Sequence, residues 1–392
     1  MSKSKGFSFL LKNKAKIIEK TSQFTDIRKN PEIKLKDIIT SIVLMPFYGV
    51  TSLLGFDRLS RKKQFKKLFG SNRKMVASDS TIKRALMWLN EKEAESFQGS
   101  FLKLFEEENL SRIQLTEKGK YRRIGIMDGS QMGNHYVEVL TLLGKTDYPV
   151  MVVNSEKRGK ELPSAKLLLK QAHEKLKANF PQLFLLDSLY FNKHIFNDIL
   201  TNYNSHLLIK SEETSFREVL KEAKLILDNK DKLDTQDIIE TKGFDSKRWC
   251  SYWIEITSGD FAGYPVRIAH LTEYYPKRKK LQHVECFNHY NRLLSSALRK
   301  SEKQLIFSLN IENNVFKRLS HLTGTKRFYF KDSKPFFNML KLFCAAIALF
   351  DILFNILQQD KEFFKSILDG IKLTWKNIFS QIEETLEPNI FI

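Results

Sequence analysis

Two aspartates stand where chemistry can be done. Asp128 closes the apolar run Arg-Ile-Gly-Ile-Met at residues 123–127, and Asp187 closes the run Phe184-Leu185-Leu186. Two carboxylates at the ends of neighbouring parallel strands would meet at the edge where open α/β sheets bind their ligands. Ionised together, they repel each other unless a cation lies between them. Magnesium suits such a pair, because it is a hard ion that takes oxygen ligands and keeps several waters. Taken singly, each aspartate is also an ordinary turn former, and Asp128-Gly129 is a turn dipeptide. It is the pair, on matching strand ends in a basic chain, that points to a metal site.

The surrounding pattern has to supply those strands. Residues 123–127, 135–143 and 148–153 read as three strands, the last two separated by turn chemistry at Gly144 to Asp147. A helical stretch over 164–178, a strand at 184–186, a helix at 192–200 and a strand at 206–209 follow. Three meandering strands followed by helix–strand alternation predict an α/β fold, a mixed sheet with flanking helices. Residues 211–275 break the alternation: 215–227 read as a helix, and 249–257 and 264–272 as strands around a Ser258-Gly259-Asp260 turn. The expectation is an inserted β-rich subdomain at about 211–300, ending in a basic knot at Lys277-Arg278-Lys279-Lys280. Residues 301–321 and 336–358 read as helical. The second is apolar nearly all round, as a helix buried on several sides would be, and its most apolar stretch, 342–350, falls short of the roughly 20 residues of a membrane span.

Charge narrows the function class. The 392 residues carry 65 Lys and Arg against 45 Asp and Glu, a net +20. Such an excess favours a polyanion, most simply nucleic acid. It is concentrated early: residues 1–120 hold 25 basic and 13 acidic side chains, and residues 58–84 hold ten basic side chains and one acid, Asp79. That segment reads as helix, break at Gly70-Ser71, helix, with Ser78 or Ser80 as the cap of the second helix. Ile82, Ala85, Leu86 and Leu89 recur there at helical spacing. The pattern resembles a helix-turn-helix reader in a helical N-terminal DNA-binding region (1–120), with Lys83 and Arg84 early in the second helix, where base edges or phosphates are met. Three cysteines and no CxxC pair argue against a disulfide scaffold. With no signal-peptide core at the start, a soluble, cytoplasmic protein is expected. G-x-S-x-G and the glycine-rich phosphate loops are absent from the sequence, which argues against serine hydrolases, P-loop ATPases and dinucleotide enzymes. His283, Cys286 and His289, read on a helix, would share one face as a minor candidate for zinc.

Three segments carry a resemblance. Ile126-Met127-Asp128-Gly129-Ser130-Gln131, Leu185-Leu186-Asp187-Ser188-Leu189-Tyr190-Phe191 and Ile311-Glu312-Asn313-Asn314-Val315-Phe316-Lys317-Arg318-Leu319 resemble the three acidic motifs of DDE transposases, closest to the bacterial insertion-sequence-4 type. The likeness spans roughly residues 40–360. It implies a ribonuclease-H-like catalytic domain over 121–392, with the β insertion filling the 125 residues between Asp187 and Glu312. It implies Asp128, Asp187 and Glu312 as catalytic residues and ligands of two Mg2+ ions, with Mn2+ able to substitute. Two such ions about 3.5–4 Å apart activate the attacking oxygen and stabilise the leaving one. Water then frees a 3′-hydroxyl at a transposon end, and that hydroxyl attacks target DNA. The partners implied are double-stranded DNA, as inverted repeats and target, and a second copy of the chain, a homodimer on DNA in the bacterial nucleoid. Members of the group often carry Tyr seven residues before the glutamate, Arg four before and Lys seven after. Here those positions are Leu305, Ser308 and Leu319, and Lys317 and Arg318 are the nearby cations. Lys277 and Arg278 are expected to line the DNA path. The alternatives are a decayed or domesticated copy that only binds DNA, and a metal-dependent nuclease without strand transfer.

Overall fold

The computed structural model describes residues 16–62, 65–66, 77–108, 110, 113–114, 121–144, 146–155, 161–190, 192–211, 225, 239–242, 248–256, 266–275, 280–288, 316, 319, 330 and 332–359. Short helices come first: α1 (Ile17–Thr21), α2 (Leu35–Leu44), α3 (Leu53–Ser60), α4 (Asp79–Trp88), α5 (Glu91–Gly99) and α6 (Leu102–Glu107). A two-strand ladder, β1 (Ile113–Gln114) and β2 (Tyr121–Arg122), leads into β3 (Ile124–Met132), β4 (His135–Leu143) and β5 (Tyr148–Ser155). Then α7 (Glu161–Leu176), β6 (Leu183–Leu186), α8 (Lys193–Asn197) and β7 (His206–Ser211) alternate, as the apolar pattern predicts. Strands β8 (Ile239–Lys242), β9 (Arg248–Ile256), β10 (Val266–Tyr275) and β11 (Lys280–Asn288) follow, and helix α9 (Ser333–Gln359) comes last.

The chain divides into two compact units that share β3. One holds Met1–Ser111, Gly129–Arg158 and Glu312–Ile392, and the other Arg112–Asp128 and Gly159–Ile311. Followed through β3, the strand order is β5-β4-β3-β6-β7, a five-stranded mixed sheet with helices in the connections, continued by β11-β10-β9-β8.

In the first unit the organising element is α9. Phe336, Met339, Leu340, Leu342, Phe343 and the run Cys344-Ala345-Ala346 are fully buried, and the helix packs on α2, α4, α5 and β5. Its 21-residue stretch Ser333–Leu353 is long and apolar enough to cross a membrane, but its apolar window is wholly buried within the unit. Burial on all sides explains a helix that lacks a polar stripe. Two buried polar side chains of α9, Asn338 and Lys341, tie it to neighbouring helices. Asn338 Nδ2 donates to the carbonyls of Leu86 (2.9 Å) and Leu89 (3.1 Å). Those are orphan acceptors at the end of α4, which carries no following turn to satisfy them. Lys341 Nζ meets Glu95 Oε1 of α5 at 3.0 Å, with side-chain exposures of 5% and 20%. At the β3–β4 turn Gly133 takes a positive φ of 61°, Asn134 Nδ2 donates to Phe330 O at 2.9 Å, and the His135 ring stacks on Phe336 at 4.5 Å.

In the second unit β3 pairs in parallel with β6, and β6 in parallel with β7. Strand β7 pairs antiparallel with β11, and β11, β10, β9 and β8 form an antiparallel meander. The β-rich character expected after residue 211 is present, and one expectation within it is overturned. Residues 283–288 do not lie on a helix: 280–288 are strand β11. Along a strand the period is two, so positions 283 and 286 do not share a face, and the expected helical zinc array is lost. His289 lies outside the described residues, as do most of the helices expected at 215–227 and 301–321.

Asn338→Ala is expected to lower the unfolding free energy by about 1–3 kcal/mol, because two buried carbonyls lose their donor. An unchanged urea midpoint for this variant would contradict the role given to α9.

Candidate active site

The site is built from the registry of two strands. Ile124, Gly125 and Ile126 of β3 pair in parallel with Leu183, Phe184 and Leu185 of β6. Carried on by two residues, that register sets Asp128 level with Asp187, on strands about 4.8 Å apart. The pairing is anchored where it starts. The backbone N–H groups of Gln182 and Leu183 both donate to Arg123 O, at 2.9 and 3.3 Å. Arg123 Nη1 in turn donates to Ala178 O at 2.7 Å. On the far side His206 N donates to Gln182 O at 2.9 Å, and Ser205 Oγ to Pro181 O at 2.7 Å. Between these anchors and the aspartates every side chain is apolar and buried: Ile124, Ile126, Met127, Leu183, Phe184, Leu185 and Leu186 are at most 2% exposed. Both faces of these strands are buried, so a slip of one residue would exchange two packed faces and misfit the side chains on each. Both aspartates are half-buried, at the point where the apolar layer ends.

The turn after β6 fixes the second carboxylate. Leu189 N donates to Asp187 Oδ1 at 2.9 Å, an Asx turn of the kind short carboxylates favour. Tyr190 N donates to Asp187 O at 3.3 Å, and the Tyr190 side chain is 1% exposed, which pins the turn to the core. Next, Asn192 Oδ1 accepts from His194 N at 2.9 Å and caps α8. One oxygen of Asp187 is thereby held in a set direction, and Leu189 is left 62% exposed beside it.

Two carboxylates that this register brings level beyond a buried parallel ladder are hard oxygen donors, a set that fits a hard divalent cation. Among the described residues no group of three His, Cys, Asp or Glu comes together to hold a metal. Glu312 lies outside those residues, so the described part of the candidate centre is the aspartate pair. Lys317, Arg318, Lys277 and Arg278 also lie outside them. Within the third motif Phe316 and Leu319 are described and are 1% and 0% exposed. Position 319, where the insertion-sequence-4 transposases often carry Lys, is thus a core position here.

Lys83 and Arg84 are found on the exposed side of α4. Ser78 caps that helix by accepting from Thr81 N at 3.3 Å, and Ile82, Ala85, Leu86 and Leu89 form its buried face, each at most 2% exposed, as their spacing predicts. Lys83 Nζ lies 3.7 Å from Asp79 Oδ2, and Arg84 Nε donates to Ser80 O at 3.4 Å. Met87 and Trp88, on the same helix, are 48% and 45% exposed and were not singled out by sequence reasoning. The signal was available, since both lie off the 82-85-86-89 stripe. Asp37, Glu138 and Asp351, acidic residues buried in the first unit, were missed as well. No family model and no curated protein matches the chain.

The Asx turn separates the two duties of Asp187. Asp187→Asn keeps an oxygen for Leu189 N and removes a charge beside Asp128, and is expected to hold or raise the unfolding midpoint. Asp187→Ala loses that acceptor and is expected to cost about 1 kcal/mol. Equal stability of the two variants by thermal denaturation would show that the turn does not depend on the side chain.

Proposed function

We propose that this chain is a DNA transposase of the DDE type, with a ribonuclease-H-like catalytic domain. It cuts phosphodiesters at the ends of a mobile element and joins the freed 3′-hydroxyl ends to target DNA. The observation that carries this reading is the parallel pairing of Ile124–Ile126 with Leu183–Leu185, a register that, carried on by two residues, brings Asp128 within β3 level with Asp187 just after β6. The strand order β5-β4-β3-β6-β7, with β4 and β5 antiparallel and β3 and β6 parallel, is compatible with such a domain. The sequence adds a third acidic motif at Glu312 and a net charge of +20 suited to DNA.

In this reading Asp128, Asp187 and Glu312 hold two magnesium ions. When bound, magnesium makes water a better nucleophile and stabilises the charge on the leaving oxygen. The chain's own part is to place and to hold. In this reading the anchored β3–β6 register would bring Asp128 and Asp187 side by side, and two carboxylates so placed would favour cation uptake. The Leu189 N–H fixes the direction of one Asp187 oxygen, and the buried layer behind both carboxylates keeps water to one side. Lys83 and Arg84 bind phosphates of the element end, and Lys277, Arg278, Lys317 and Arg318 serve the DNA nearer the reacting bond. Pairing two element ends calls for two copies of the chain on DNA, in the bacterial cytoplasm.

Asp128→Asn, Asp187→Asn and Glu312→Gln are each expected to abolish cleavage of labelled element ends while leaving DNA binding largely intact. Cleavage at the wild-type rate by any one of them in magnesium would remove that residue from the site. Cut ends that never appear joined to a target plasmid would replace the transposase by a nuclease.

A further inference from the structure

We infer that the exposed face of α4 is a binding surface for unpaired nucleic acid, with Trp88 stacking on a base and Lys83 and Arg84 holding the backbone beside it. The inference deepens the DNA-binding part of the proposed function and rests on it.

Four consecutive members of one helix face are solvent-accessible: Lys83, Arg84, Met87 and Trp88. Their spacings of three and four make them neighbours on a helix surface. Arg84 and Trp88 are one turn apart, about 6 Å along the axis. Trp88 is 45% and Met87 48% exposed, although Ala85, Leu86 and Leu89 beside them are buried and α9 offers an apolar surface to the same helix. A single exposed apolar residue needs no explanation. A tryptophan and a methionine contiguous with two cations form an amphipathic patch with a flat ring at one end and positive charge at the other. That combination suits single-stranded nucleic acid, which is held by cations along the backbone and by aromatic rings under the bases.

Charge complementarity favours this occupant over a protein. The exposed face carries two cations, Lys83 and Arg84, within the face itself, and a protein interface is commonly depleted of charge at its centre. Asp79 meets Lys83 at 3.7 Å, with side-chain exposures of 40% and 51%. An exposed pair of this kind is weak, so a phosphate can take its place. The helix is also held firmly: Ser78 caps its start, and Asn338 secures its end by donating to Leu86 O and Leu89 O. Trp88 is therefore presented from a fixed support, with little ordering left to do on binding. Intact duplex hides its base faces, so the ring contributes only where a strand is unpaired, as at a frayed or cut end.

The test uses the full-length protein in EDTA, so that no strand is cut. Fluorescence anisotropy measures binding to a short labelled single strand, a duplex with a frayed end and a blunt duplex of the same sequence. Trp88→Ala is expected to weaken the first two by roughly 5–100-fold, the range measured for loss of one base–aromatic stack, and to leave blunt-duplex binding nearly unchanged. Trp88→Phe keeps a ring and should retain most of the affinity. Lys83→Ala with Arg84→Ala should weaken all three substrates and flatten the salt dependence on single strands by about 0.7 for each phosphate left without its cation. Trp88→Ala that binds every substrate as the wild type does would overturn the inference. Should that variant misfold, tryptophan quenching decides: wild type and Trp88→Phe that quench alike on adding single strand also overturn it. A wild-type dimer that Trp88→Ala dissociates without nucleic acid would assign the face to a second copy and overturn it too. Trp88-dependent binding without magnesium-dependent cleavage would sustain this inference and sink the catalytic reading alone. Cleavage with binding indifferent to Trp88 would do the reverse.

Discussion

The parallel pairing of β3 with β6 is the constraint on which the rest depends. It is short, three registered pairs from Ile124 with Leu183 to Ile126 with Leu185. Yet it decides whether two aspartates 59 positions apart in the sequence stand level or apart. Its strength does not come from the carboxylates, since like charges brought level add nothing favourable to a strand pair. It comes from the apolar layer behind them and from the hydrogen bonds of Arg123, Gln182 and Ser205 at the opposite end of the strands. The chain thus stabilises its core at one end of the ladder and carries its polar residues, Asp128 and Asp187, beyond the other. That division is common where a site is preorganised at some cost to local stability.

The unit built on α9 answers a different need. A helix of 27 residues with almost no polar face has to be enclosed, and the N-terminal helices enclose it. Asn338 and Lys341 are the exceptions, and each joins α9 to a particular helix, α4 or α5. Buried polar contacts of this kind add specificity of placement to apolar packing that is itself indifferent to direction. The consequence is that the helix carrying Lys83, Arg84 and Trp88 is not a loosely tethered reader. It is a face of a packed core, oriented by the residues beneath it.

Much of this was legible in the sequence. The meander and the helix–strand alternation from residue 123 to 211 follow from apolar runs separated by turn residues. Asp187 follows the end of β6 as its run implies, whereas Asp128, expected to close its strand, lies inside β3. The cap at Ser78 and the buried stripe of α4 followed from local chemistry and a 3.6-residue period. The extent of β3 beyond Asp128 was not legible, because Gly129-Ser130-Gln131 has turn composition and only the pairing with its neighbours keeps it extended. Strand β11 was misread for a related reason. His283, Cys286 and His289 suggested a helical period, while the partners that make residues 280–288 a strand lie on β7 and β10. Exposure of Trp88 was implied by the helical period, but a tryptophan is usually assigned to a core by its type.

The central claim is that Asp128 and Asp187 hold one cation centre together with Glu312. Iron(II) bound in place of magnesium, with ascorbate and peroxide, cuts a polypeptide close to the residues that hold it, so the fragment sizes report the ligands directly. The account predicts cuts near residues 128, 187 and 312, all three suppressed by excess magnesium and all three lost in Asp128→Asn. Cuts at only one of these places, or cuts that magnesium does not suppress, would contradict it.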